Sequence, residues 1–138
     1  MRYLRVAVHQ DPAVRHPMHQ FVVEREGFAV SRLLQYARPP DDADDPATFV
    51  FHVDGDDPAR EPYEEALADL PTVVEYDLSP CPDDSFYLYV REEVPEHAAD
   101  FVGAFAQPGL IGLMPVEYRA DGTVRVTVVG PAGGLQDA

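Results

Sequence analysis

The sequence predicts an α+β fold with a largely antiparallel sheet, helices on one face, and tandem ferredoxin-like units. Three observations support this prediction. Short segments alternate apolar and polar residues as half-buried strands do, and the segments between them space apolar residues as helices do. The order helix, strand, strand occurs three times after a first strand. The strand that follows each helix carries an apolar residue, Gln or Glu, and Tyr: Leu34-Gln35-Tyr36, Val74-Glu75-Tyr76 and Val116-Glu117-Tyr118.

The first unit covers about residues 1–78 and has the order βαββαβ. Pro17 suits the first position of the first helix, and Gly27 supplies a stop after it. An acidic, proline-containing loop separates the second strand from the third. The predicted elements are strand 2–9, a helix that begins at 17 and stops at Gly27, strand 28–37, strand 48–54, helix 59–70 and strand 72–78.

The second unit covers about residues 85–138 and has the incomplete order βαββ. Ala120-Asp121-Gly122 is a strong hairpin signal between its last two strands. The predicted elements are strand 86–92, helix 95–105, strand 113–119 and strand 123–129. No final strand follows, so this unit looks truncated. We expect either a chain cut from a longer protein, which we prefer, or an unpaired sheet edge.

The composition predicts a single domain from the cytoplasm of a halophile that accumulates salt. The 138 residues include ten arginines, no lysine and 25 acids, for a formal net charge of -15. Molar salt shortens the Debye length to roughly 3 Å and screens the self-repulsion of such a chain. One cysteine excludes an internal disulfide, and neither a membrane-spanning run nor a signal peptide is recognisable. The charge therefore indicates where the protein works and leaves its partners open.

The chain resembles the amino-terminal region of haloarchaeal regulators related to the bacterio-opsin activator. The resemblance rests on the opening Met-Arg-Tyr-Leu-Arg-Val, on His16-Pro17-Met18-His19, and on Pro115-Val116-Glu117-Tyr118 with the segment 121–130. Those regulators carry a sensory α/β part followed by a DNA-binding helix-turn-helix. The resemblance implies the regulatory half, with dimerisation, small-molecule sensing or both. DNA binding would then require a helix-turn-helix that this sequence does not contain.

Aromatic and cationic residues occupy the strand positions opposite the aliphatic ones. If these side chains converge, they form a surface for an anionic or aromatic ligand. The candidate ligand contacts are Arg5, Tyr87, Tyr89, Arg91 and Arg125, with Tyr3, His9, His52 and Thr127 at the same parity. Two alternatives stay open: the face packs against the other unit or a second subunit, or it stacks RNA bases, although the glycine-aromatic pattern of RNA-recognition domains is missing.

Other chemistry has weaker support in the sequence. His9, His16 and His19, with Asp11, include metal-ligand types at plausible spacing, but His16 also fits a helix start and His19 an interface. Cys81 stands among acids, which disfavour its thiolate, and has no resolving cysteine. We find no catalytic motif and predict no enzyme and no cofactor.

These observations predict a non-enzymatic regulatory module from a haloarchaeal transcription regulator. We expect a homodimer that binds a small molecule and does not contact a membrane. The alternative is a stand-alone ligand-binding protein or a small ferredoxin-like enzyme.

Overall fold

The computed structural model describes residues 2–13, 15–37, 46–93 and 109–131. Within these ranges it contains seven strands and two helices. In chain order they are β1 (Arg2–His9), α1 (Pro17–Glu24), β2 (Phe28–Ala37), β3 (Ala47–Gly55), α2 (Asp57–Asp69), β4 (Val73–Cys81), β5 (Ser85–Glu92), β6 (Ile111–Arg119) and β7 (Thr123–Gly130). The predicted α+β class and the seven strands are confirmed. The helix predicted at 95–105 lies outside the described residues.

The seven strands form one antiparallel sheet in the order β1-β7-β6-β2-β3-β5-β4. Three pairs of consecutive strands lie side by side, with β2–β3 in the centre and β1 added beside β7. The tandem ferredoxin-like arrangement is not confirmed. Such a unit pairs its first and fourth strands, whereas β1 and β4 lie at opposite edges here. β4 instead pairs with β5, which follows it after a short turn, and short connections close at little entropic cost.

Both described helices pack on the same face of the sheet. Met18 and Val22 of α1 and Tyr63 and Leu67 of α2 are buried against β3 and β5. The strand residues in this cluster are Val53, Phe86, Leu88 and Val90. A second cluster continues the same face toward β6 and β7, with Leu33, Val116, Val124, Val126 and Val128 buried. The aliphatic parity of the sequence therefore marks the face that the helices cover.

Local capping explains where the helices begin. The Nδ1 atom of His16 accepts a hydrogen bond from the backbone of Met18 at 3.0 Å, and Pro17 follows. Asp56 caps α2 by accepting from the backbone of Ala59 at 2.9 Å, so this helix starts two residues earlier than predicted. No helix within the described ranges is long and apolar enough to cross a membrane.

Candidate functional site

The face of the sheet that carries neither α1 nor α2, here called the open face, holds all five candidate ligand contacts. Cross-strand pairing places Arg5 opposite Thr127 on this face, and Arg125 opposite Ala7. On β5, Tyr87, Tyr89 and Arg91 alternate with the buried Phe86, Leu88 and Val90. The predicted parity of these residues is therefore correct.

A row of direct cross-strand partners crosses the open face from β7 to β5. Its members, in order, are Arg125, Glu117, Arg32, His52 and Tyr87. Adjacent strands lie about 4.8 Å apart, so Arg125 and Tyr87 are separated by about 19 Å. The candidate contacts thus form two groups on one face, with Arg5 and Arg125 at one end and the β5 residues at the other.

Arg5 and Arg125 form the first group. They occupy diagonal positions on the neighbouring strands β1 and β7, for which the separation of Cα atoms is about 7–8 Å. Both side chains are exposed, and neither forms an ion pair with another described residue. Two exposed guanidinium groups at diagonal positions, with no ion pair among the described residues, are suited to hold an anion, and Glu117 is the carboxylate directly across from Arg125.

The second group, Tyr87, Tyr89 and Arg91 on β5, makes contacts with side chains of the neighbouring strands. Tyr87 and Tyr89 are exposed, and the Tyr87 ring lies 5.0 Å from the ring of His52. Arg91 contacts Glu75 of β4 at 3.4 Å. This end of the open face offers aromatic rings for stacking, while its cation already has a carboxylate neighbour.

A polar network surrounds His52 between the two groups. Its Nε2 atom lies 3.0 Å from the hydroxyl of Ser85, and its Nδ1 atom 3.3 Å from a guanidinium nitrogen of Arg32. The Ser85 hydroxyl donates a hydrogen bond to Asp83 at the preceding turn, and this hydrogen bond lowers the pKa of the Asp83 carboxyl. We therefore assign the imidazole proton to Nε2, which donates to Ser85, while Nδ1 accepts from Arg32.

The network includes the residue types of a nucleophilic triad without their usual geometry. Asp54 approaches Nδ1 of His52 only to 3.8 Å, and it pairs instead with Arg32 at 3.0 Å. Ser85 is only 3% exposed and directs its proton to a carboxylate. A serine nucleophile needs an adjacent base that accepts its proton, and His52 does not hold that position here.

Sequence reasoning missed Arg32, Asp54 and Ser85 as neighbours of His52. The available signal was parity, because Arg32 and Asp54 lie at the polar positions of their strands. Parity does not reveal which strands are adjacent. The contact between His52 and Ser85 depends on the pairing of β3 with β5, which joins segments separated by a helix and another strand.

The three histidines considered as metal ligands have different partners. His9 ends β1, while Nε2 of His16 lies 2.8 Å from Glu92. His19 is buried and its Nε2 atom lies 2.9 Å from the carbonyl oxygen of Arg119. Burial lowers the pKa of His19. Among the described residues no group of three or more His, Cys, Asp or Glu is placed to hold a metal ion.

The helix-covered side contains a concave groove between the end of α1 and the start of α2. It has a volume of about 360 Å³ and is lined by Phe21, Arg25, Phe28, Pro58 and Pro62, among others. The guanidinium of Arg25 lies 4.7 Å from the centre of the Phe21 ring. Glu26 and Asp56 also line this open groove, which offers a second location for a small molecule with both polar and apolar contacts.

A family comparison identifies the class of protein. The family model HVO_0513_N, described as N-terminal, matches residues 16–138. The chain therefore belongs to this family of haloarchaeal proteins, which agrees with the halophile predicted from its charge. Searches of curated proteins and of solved structures find no match.

Proposed function

We propose that this chain is the sensory module of a cytoplasmic haloarchaeal transcription regulator of the bacterio-opsin activator type, and that it binds a small anionic ligand on its open face. The module is a homodimer and not an enzyme, and DNA binding belongs to a helix-turn-helix outside this sequence. The family's description as N-terminal agrees with the position of the sensory part in such regulators.

The observation that carries the proposal is the distribution of arginine. Among the residues that the structure describes, the strands place five arginines on the open face, out of ten in the sequence: Arg5, Arg32, Arg91, Arg119 and Arg125. The strands place four carboxylates on the same face: Asp54, Glu75, Asp77 and Glu117. In a chain of net charge -15, the described strand residues of this face are thus close to neutral, and an anion meets little repulsion from them.

Within this face, Arg5 and Arg125 are the cations best placed to bind. Arg32, Arg91 and Arg119 each lie within 3.4 Å of a carboxylate oxygen. An anion that approaches those three must compete with an existing partner. At Arg5 and Arg125 it gains charge-assisted hydrogen bonds without breaking an ion pair among the described residues.

Anion binding can be tested by differential scanning fluorimetry and calorimetry in molar KCl, with phosphate, pyrophosphate and aromatic carboxylates as probes. We expect a thermal shift in the wild type that Arg125→Gln reduces by more than half. Arg60→Gln is the matched control, because Arg60 lies on α2 and pairs with Asp57. An equal response in both variants would refute binding at Arg125. A response lost only in Arg25→Ala would move the site to the groove.

A small enzyme is the second candidate, and the observation behind it is the 3.0 Å contact of His52 with Ser85; catalysis would require the Ser85 hydroxyl to turn its hydrogen bond from Asp83 to His52. The test is hydrolysis of a panel of activated esters by wild type and Ser85→Ala. Turnover that disappears in Ser85→Ala would support the enzyme. Turnover at the buffer rate in both proteins would favour the sensory module.

A further inference from the structure

The two edges of the sheet differ in how well they are protected from further strand pairing. Alternate residues of an edge strand direct backbone N–H and C=O groups away from the sheet. β4 carries Glu75, Asp77 and Pro80, and its register shifts after Val73. These features blunt an edge, because proline lacks a donor and charges repel a flat partner.

β1 is the less protected edge. Among the described strands it pairs only with β7, in continuous register from Arg2 to His9. It contains no proline and no acid. Within the part of the chain that the structure describes, this edge is guarded by the positive charge of Arg2 and Arg5. Their repulsion between copies is screened in molar salt, where the Debye length is roughly 3 Å.

We propose that β1 pairs with β1 of a second copy about a two-fold axis at Val6, and that this pairing assembles an anion site from four arginines. The inference rests on the proposed homodimer and anionic ligand, and it specifies their geometry. The occupant of the β1 edge is a second copy because β4 is blunted, and because pairing β1 with β4 of another molecule is head-to-tail and need not close.

Side-chain parity restricts the register. A two-fold axis perpendicular to the sheet keeps the helices of both copies on one face, so each residue pairs with one of its own parity. Centring on Val6 places Leu4 opposite the partner's Val8 and Arg5 opposite the partner's Ala7. Centring on Arg5 places two guanidinium groups side by side. The Val6 register therefore combines aliphatic contacts with a diagonal placement of the two Arg5 side chains in place of a direct one.

The same register brings Arg5 and Arg125 of both copies around the two-fold axis on the open face. Arg125 neighbours Ala7 on β7, and Ala7 faces the partner's Arg5. Arg125 and the partner's Arg5 then lie two strand spacings apart, about 10 Å between backbones. One copy supplies half of the site. A compact ligand with two or more phosphate or carboxylate groups matches this cluster and stabilises the dimer that forms it.

Disulfide cross-linking tests the register in a Cys81→Ser background. Residues paired across the axis have Cα atoms about 4.5–5.5 Å apart, within disulfide range, so Val6→Cys is expected to form a covalent dimer on mild oxidation. Val8→Cys is the matched control. In this register the Cys at position 8 faces the partner's Leu4, four residues from the partner's Cys at position 8. The two cysteines are about 14 Å apart, so this variant is expected to stay uncross-linked. Cross-linking through Arg5→Cys or Ala7→Cys instead would overturn the Val6 register.

Edge substitutions test the interface independently of oxidation. Leu4 is 46% exposed, so Leu4→Glu is tolerated in a monomer, but it places a carboxylate against the partner's Val8 twice per dimer. We expect the dimer dissociation constant to rise roughly tenfold or more in sedimentation experiments in molar KCl. Val74→Glu on β4, 55% exposed, is the control and leaves the constant unchanged. Equal weakening by both variants would contradict the assignment to β1.

Pyrophosphate tests the four-arginine site. Sedimentation with and without millimolar pyrophosphate, at KCl-matched ionic strength, is expected to show at least a tenfold tighter wild-type dimer and no tightening for Arg125→Gln. If Val6→Cys cross-links but pyrophosphate does not tighten the wild-type dimer, the shared four-arginine site would be overturned. A dimer in which Val6→Cys does not cross-link would refute the β1 interface and leave the proposed homodimer standing. A strict monomer that still binds phosphate would remove the dimer and keep the anion-binding function.

Discussion

Glu92 connects three parts of the fold, and replacing it with glutamine is the most informative test of the packing. The carboxylate is 13% exposed at the end of β5. It lies 2.8 Å from Nε2 of His16 at the start of α1 and accepts a 2.8 Å hydrogen bond from Thr72 after α2. Gln keeps the size and one acceptor but removes the charge, so a neutral contact replaces a charge-assisted one.

The expected loss is about 1 kcal/mol of unfolding free energy. Hydrogen bonds to charged groups contribute about 1.5–3 kcal/mol, and the lower end is reduced further because His16 is 43% exposed and its contact is screened by solvent. Urea unfolding followed by circular dichroism in molar KCl measures the change. Glu75→Gln is the control, because Glu75 is 57% exposed and contacts Arg91 at 3.4 Å. Equal losses in both variants would refute a special role for Glu92.

The difference in unfolding free energy between wild type and Glu92→Gln should depend on pH in one direction. Burial raises the pKa of Glu92, but the hydrogen bonds from His16 and Thr72 outweigh it and hold the pKa below its usual range. The unfolded chain therefore takes up this proton first as pH falls. The contribution of Glu92 is complete above the ordinary glutamate pKa of about 4.3 and declines as pH falls toward the folded value. The gap between wild type and Glu92→Gln should narrow over that interval.

Two further predictions concern the turn after α1 and the desolvated tyrosines Tyr63 and Tyr118. Gly27 has a φ of +97°, and an added Cβ would lie 2.8 Å from a carboxylate oxygen of Asp56. Gly27→Ala should therefore lower the free energy of unfolding in urea by about 1–3 kcal/mol. An unchanged unfolding midpoint would contradict the strained conformation. Burial raises the pKa of Tyr118 to about 12 and also raises that of Tyr63. Ultraviolet titration should therefore show late-ionising phenols, one of which Tyr118→Phe removes, and stability should fall as pH rises above about 10. A tyrosine that titrates normally at position 118 would refute its desolvation against the core.

The sequence predicted the strands well because alternation is a local property. The hairpin turn at Ala120-Asp121-Gly122 was also correct, with β6 and β7 on either side. The repeated Tyr36, Tyr76 and Tyr118 lie on the first strand of each hairpin, at partly buried positions against the core clusters. These features depend on residues close in sequence, so one segment at a time is enough to find them.

Strand order and register could not be predicted from alternation within single segments. The shifts within β2, between Phe28 and Val30 and between Leu33 and Gln35, change which residues of the adjacent strands meet. Alternation continues on both sides of such a shift and does not reveal it. The position of β1 at an edge likewise follows from its pairing with β7, the described strand that is most distant from it in sequence. The ferredoxin-like prediction failed at this step, because element order alone does not choose among strand pairings.

The arginine distribution connects the solvent to the proposed site. A chain whose charge is dominated by carboxylates remains hydrated in molar salt, and screening removes most of the penalty for like charges at a distance. The same screening weakens isolated cations as ligand contacts, because a single exposed guanidinium loses most of its attraction within one Debye length. Binding under these conditions therefore requires direct hydrogen bonds from several guanidinium groups at once. Arg5 and Arg125 supply two of these guanidinium groups, and the proposed pairing of β1 with β1 of a second copy supplies four.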